Sequence, residues 1–187
     1  PLVAYDGANW NPVLGLDAPE SGSLAITAMA GLNGLLYVTG NFPSAEGGTV
    51  LANGIACWDG AHWTSLGDIV PDGPFRGLSV DNGMLLAVGE MVSDPTSGFG
   101  WWDGHQWLTG TYGLGGCCFP GGPVLSATRV GTDLFLAGGF DYFYDFYSGG
   151  NRAVKNLARF DGTYLHPVTN GTPILDGTAV WGTTLYH

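Results

Sequence analysis

Lysine is all but missing from this sequence. Lys155 stands alone, and basic residues number 5 against 16 acidic ones in 187. The net charge of −11 repels phosphate backbones and anionic lipid;. Nucleic acid is therefore excluded as a partner. Apolar stretches are short, and no run reaches the 18 residues that would read as a membrane-spanning helix;. Only three cysteines occur, Cys57, Cys117 and Cys118, without a CxxC or His/Cys ligand spacing. No metal site is expected from them. The glutamates are three, Glu20, Glu46 and Glu90, few for a paired-carboxylate glycosidase;. His62 and His105 sit at separate turns, His166 and His187 are isolated, and no Ser/His/Asp constellation stands out;. No catalytic residue is assigned; the first reading is a non-enzymatic module, and the alternative is a carbohydrate-binding protein that forms part of a glycoside hydrolase or lyase. Charged residues make up only 11% of the chain. A polar but uncharged surface of that kind points to an extracellular or cell-surface protein.

What is abundant is glycine, 33 residues, and a recurring phrase. It reads AYDGANW from Ala4, CWDGAHW from Cys57, WWDGHQW from Trp101 and RFDGTYL from Arg159. An aromatic precedes each Asp (Tyr5, Trp58, Trp102, Phe160), and a large apolar residue follows it by four (Trp10, Trp63, Trp107, Leu165). Self-similarity at such spacing marks a repeat architecture. Asp-Gly supplies the positive φ angles of a two-residue hairpin turn, and the flanking aromatics are expected to pack where repeats meet.

A second phrase lies between these turns: NGLLYVTGNF from Asn33, NGMLLAVGEM from Asn82, GTDLFLAGGF from Gly131, and GTTLYH at Gly182. Each begins on a turn pair, and the first three run through apolar residues to Gly40, Gly89 or Gly138. Another short apolar run precedes each copy. One unit is thus strand A, tight turn, strand B, long loop, strand C, Asp-Gly turn, strand D. The B strands carry apolar residues in succession, such as Leu35, Leu36, Tyr37 and Val38. Successive strand residues point to opposite faces, so both faces of these sheets must be dry. A two-layer sandwich leaves one face of each sheet wet. The expected fold is an all-β propeller of four-stranded antiparallel blades.

GIACWDGAHWTSLG from Gly54 and LFLAGGF from Leu134 resemble the kelch-like propeller repeats of secreted and cell-surface proteins of bacteria and fungi. The likeness runs through nearly the whole chain. It implies a fold and a location, and it assigns no activity. The expected organisation is a half-blade over 1–18, blades over about 24–67, 75–112 and 124–169, and a half-blade over 177–187. Pro1 falls inside a C-type strand and His187 part-way through a B-type strand. The chain is therefore expected to be a processed part of something longer. Its half-blades suit a four-bladed ring, strand exchange between copies, or part of a larger propeller, the last being preferred.

The expected binding surface is on the side of the B–C and D–A loops, which hold the length variation. Its candidate element is FDYFYDFYSGGNR, Phe140 to Arg152, with Asp141, Tyr142, Phe143, Tyr144, Asp145, Phe146 and Tyr147. Tyr-rich surface with a few carboxylates suits a protein interface or self-association, and alternatively carbohydrate stacking. Asp141 and Asp145 are oxygen donors of the kind calcium takes, though their spacing matches no calcium loop. No other cofactor is expected. A disulfide is expected on Cys117 or Cys118, with Cys57 as a candidate partner.

Overall fold

The structure, a computed structural model, describes residues 2–67, 74–89, 98–108, 123–140, 142–145, 150–168, 179–181 and 184–186. These are all-β, with no helix among the described residues. Strands β1 (Leu2–Tyr5) and β2 (Trp10–Val13) form a hairpin. Then come β3 (Ile26–Leu32), β4 (Leu35–Gly40), a small hairpin of β5 (Ser44–Ala45) and β6 (Val50–Leu51), β7 (Ile55–Trp58) and β8 (Trp63–Thr64). The first sheet is β3-β4-β7-β8. The second sheet runs β9 (Phe75–Asp81), β10 (Met84–Gly89), β11 (Phe99–Trp102), β12 (Trp107–Leu108). In the third region lie β13 (Val124–Val130), β14 (Asp133–Gly138), a hairpin of β15 (Tyr142–Asp145) and β16 (Gly150–Ala153), β17 (Leu157–Phe160) and β18 (Leu165–Pro167). The third sheet is β13-β14-β17-β18. A last hairpin joins β19 (Ala179–Trp181) to β20 (Thr184–Tyr186). Every pairing is antiparallel.

The turns explain this order. Asn33-Gly34 and Asn82-Gly83 have φ of 53° and 79°, and of 49° and 76°. Both residues are left-handed, as a two-residue type I′ turn requires, and Leu32 pairs Leu35 while Asp81 pairs Met84;. The Asp-Gly turns differ from expectation. Tyr5 pairs Trp10, Trp58 pairs Trp63, Trp102 pairs Trp107 and Phe160 pairs Leu165, so four residues intervene instead of two. Only the Gly has a positive φ, from 99° to 107°. The Asp closes the loop with its side chain: Oδ1 of Asp59 accepts the N–H groups of Ala61 at 2.8 Å and His62 at 2.7 Å. Asp6, Asp103 and Asp161 do the same in their loops. This is the Asx-type bond that makes Asp a turn residue. It sets the two flanking aromatics opposite each other, with ring centroids 5.0 Å apart for Tyr5–Trp10, 5.1 Å for Trp58–Trp63 and 5.6 Å for Trp102–Trp107.

The sheets pack in sequence order. β3 lies against β9, β9 against β13, and β13 against β19. β10 is buried on both faces: Leu85 and Ala87 join Tyr37, Ile55 and Cys57 of the first sheet, while Leu86 and Val88 join Leu134, Leu136 and Phe160 of the third. The other face of the first sheet, with Val38, Ala56 and Trp63, is covered by Leu2, Val13 and Leu16 from the N-terminal region. Gly40, Gly89 and Gly138 end the B strands because a Cβ there would collide with the carbonyl oxygens of Ala25, Pro74 and Pro123. The A–B register shifts at this same end in all three sheets, as at a β-bulge;.

Candidate functional site

The aromatic segment between β14 and β17 is built as a hairpin, not an open loop. Tyr142 pairs Ala153, Phe143 pairs Arg152, Tyr144 pairs Asn151 and Asp145 pairs Gly150. Its base is fixed to the third sheet. Phe140 and Val154 are fully buried in the core, the Asn156 N–H donates to the Phe140 carbonyl at 2.9 Å, and the Gly138 N–H donates to the Asn156 carbonyl at 3.0 Å. Asp141, Phe146 and Tyr147 lie outside the described residues. The first sheet carries the β5–β6 hairpin at the same point between its B and C strands. Two-residue strands are too short for an alternation pattern, so this hairpin was not visible in the sequence. Its signals are Glu46, Gly47 and Gly48, all with positive φ.

Cys57, one candidate disulfide partner, is a free and buried thiol. Burial pushes it above the usual thiol range, which keeps it protonated and unreactive;. Cys117 and Cys118 lie outside the described residues. Among the described residues the histidines do not converge: His62, His105 and His166 belong to the C–D hairpins of three different sheets. His62 Nδ1 is 4.0 Å from Glu46 Oε1, and His166 Nε2 is 2.7 Å from Asp161 Oδ2. Among the described residues no three His, Cys, Asp or Glu side chains gather as a metal site would need.

The groups that the sequence did not reveal are polar ties between sheets. The Trp63 indole N–H donates to the Leu14 carbonyl at 2.7 Å, and its backbone N–H donates to Glu46 Oε1 at 3.1 Å. The Trp107 indole N–H donates to the Leu66 carbonyl at 2.9 Å. Trp63 and Trp107 thus each reach back to a carbonyl just beyond the preceding D strand. Between the second and third sheets, the buried Asp81 carboxylate accepts from Trp101 Nε1 at 2.7 Å and from Arg129 Nη2 at 2.7 Å, with Arg129 Nε as a further donor. These residues, with Met84 and Phe160, line a cleft of about 210 Å³. Burial pushes the Asp81 carboxyl up, but the hydrogen bonds from Arg129 and Trp101 and the guanidinium charge outweigh it and hold the group below its usual range.

The turn carboxylates are held low as well. Asp161 is lowered to about 2 by the Tyr164 N–H, by His166 and by the Thr163 N–H, against the opposing effect of burial. A carboxyl lowered on folding contributes stability above its unfolded pKa of about 3.9, and loses it as pH falls toward the folded value. The melting-temperature gap between the parent and Asp161→Asn should therefore be widest above pH 4 and close as pH approaches 2. A gap that widens in acid would contradict this role.

No protein-family model matches the chain, and no curated protein matches it significantly.

Proposed function

We propose that the chain is a β-propeller region of the kelch-like repeat kind, working outside the cell as a non-enzymatic structural or adhesive module that binds protein. The sheet packing supports the propeller reading: three four-stranded meanders follow one another with first strand against first strand, and the middle sheet's β10 is buried on both faces. In this reading the three sheets are blades and the terminal hairpins are half-blades.

The observation that carries the interaction role is the aromatic hairpin. A four-residue strand containing Tyr142, Phe143 and Tyr144 stands between two core-anchored residues, Phe140 and Val154. Tyr and Phe bury large area with few rotatable bonds, and a few such anchors usually dominate an interface. A preset hairpin also loses less conformational entropy on binding than an open loop. A carbohydrate-binding propeller is the competing reading. It predicts similar sites on several blades, yet the matching β5–β6 hairpin carries Ser44, Ala45, Val50 and Leu51 in its strands.

The test is retention on arrayed surface proteins and glycans. Parent protein should be retained by a protein, and a Tyr144→Ser/Tyr147→Ser variant should lose roughly 30-fold or more in affinity, the scale of a hot-spot deletion. Its melting temperature should stay within about 2 °C of the parent if the two rings serve binding and not the fold. Retention by glycans alone, or retention that the double variant leaves intact, would overturn the reading.

A further inference from the structure

The repeated units allow one junction to be compared with the next. Where the second sheet meets the third, the cleft is lined by Asp81, Met84, Trp101, Arg129 and Phe160. The pairing registers identify the same places where the first sheet meets the second. Leu32 pairs Leu35 as Asp81 pairs Met84, and Tyr37 pairs Cys57 as Leu86 pairs Trp101. Arg129 stands one residue before Val130, which pairs Asp133, as Val80 stands one residue before Asp81, which pairs Met84. Leu32, Cys57 and Val80 therefore take the places of Asp81, Trp101 and Arg129. At that first junction Leu32, Leu35, Cys57 and Trp102 belong to one apolar cluster. The same scaffold thus closes one junction with apolar groups and the next with a buried ion pair.

A buried ion pair is often no more stabilising than apolar residues of similar volume, so stability alone does not account for this difference. Selectivity does. Thr27 Oγ1 donates to the Phe75 carbonyl at 3.0 Å, Trp107 Nε1 to the Leu66 carbonyl at 2.9 Å and Ser79 Oγ to the Ala127 carbonyl at 3.4 Å. These ties between sheets end on main-chain carbonyls, which every unit offers. The clamp has side chains at both ends: Asp81 on the second sheet, Arg129 on the third.

We propose that Asp81, with Trp101, is an address on the second sheet that admits only a unit carrying a cation at the place of Arg129, and so fixes the order in which the units dock. The proposal rests on the packing of the sheets and is independent of the extracellular, protein-binding role.

Wrong pairings show what the address excludes. A second sheet docked on another copy's β9 would set Asp81, 4% exposed, against Val80, with the Trp101 indole as its remaining donor. A first sheet docked on β13 would set Leu32 against Arg129, which would lose both of its bonds to Asp81. Each error strands a buried charge. The apolar contacts discriminate far less, because the units share their turns, their strand order and their apolar faces. Specificity in such a set comes from penalising the wrong neighbour.

The experiment uses the 187-residue chain with Asp81→Leu and Arg129→Met, singly and together. Each single variant has a mismatched junction within its own chain. Exchange of units between the two single variants restores a match at both junctions: Asp81 of the Arg129→Met chain meets Arg129 of the Asp81→Leu chain, and the two substituted positions meet each other. The single variants, one of them isotopically heavy, are unfolded in urea, mixed and refolded together, and native mass spectrometry counts complexes containing both. The ratio of mixed to unmixed species should exceed that of heavy and light parent treated alike by at least about tenfold, a modest share of the cost of an unpaired buried charge. Parent refolded with the Asp81→Leu/Arg129→Met variant should give no more mixed species than the parent control, since exchange between them creates two mismatches. Refolded alone, the double variant should melt near the parent temperature yet give several-fold less material that elutes as the parent does, because its units have lost their address. Mixed species at the parental ratio, or a double variant that refolds as cleanly as the parent, would overturn the proposal. A double variant that fails to fold would overturn it too, since the clamp would then be a requirement of the fold.

Discussion

Trp63→Ala should cost about 3–5 kcal/mol in urea denaturation at an unchanged slope, the usual range for a buried large aromatic. Trp10→Ala, at the equivalent place in the N-terminal hairpin, should cost under about 0.5 kcal/mol, as exposed positions do. The contrast follows from location. Trp63 is 2% exposed, packs beside Trp58, sends its indole N–H to the Leu14 carbonyl and its backbone N–H to Glu46. Truncation opens a cavity between the first sheet and the N-terminal hairpin and strands a carbonyl. Trp10 is 69% exposed, with a ring contact to Tyr5. A loss below about 1 kcal/mol for Trp63 would contradict a role in joining the units.

The second large effect is expected at Asp81. Removing its carboxylate by Asp81→Ala takes away the bond to Trp101 Nε1 and the main counter-charge of the partly buried Arg129, leaving it the weaker influence of Asp133. Breaking a buried pair costs about 3–5 kcal/mol. The Arg129 side chain is 24% exposed and retains its bond to the Thr132 carbonyl, so about 2–4 kcal/mol is expected here. Replacing both partners with apolar residues, Asp81→Leu with Arg129→Met, should recover most of the loss, since a buried ion pair and an apolar isostere are often comparable. The pH dependence has a definite sign. Asp81 is held below its usual range, so the pair stabilises fully above about pH 4 and loses that effect as pH falls. Calorimetry from pH 7 to 2 should show the parent approaching Asp81→Ala at the acid end. If Asp81→Ala matches the parent at pH 7, the clamp contributes nothing.

The all-β class and the four-stranded unit were legible because their signals are local. Apolar residues in succession along Leu85, Leu86, Ala87 and Val88 require two dry faces, and the packing supplies them. The aromatic pair around each Asp-Gly was legible for the same reason. The size of that turn was not, because the Asp side chain replaces a backbone contact and lengthens the loop to four residues. Ties across sheets were hidden by distance along the chain. Asp81 precedes an Asn-Gly turn and reads as a turn residue, while its partner Arg129 is 48 residues away. Glu46 reads as one acid in a loop, yet it receives the Trp63 N–H from 17 residues away. For the aromatic segment, composition marked the place but not the form: nothing in a run of Tyr and Phe distinguishes a hairpin from an open loop.

The ordering of sheets along the chain has a consequence for how the molecule comes apart. The main contacts run from each sheet to the next in sequence, so the molecule resembles a row of coupled segments, for which stability is a sum of segment and nearest-neighbour terms. A segment flanked on both sides is held by two couplings, and one at an end by one. Opening should start at the outer hairpins and travel inward like a zip, with the amides of β10 exchanging last and those of β1 and β20 first. Each added neighbour would convert an end into a middle, so the protection of β1 reports directly on whether anything has joined it.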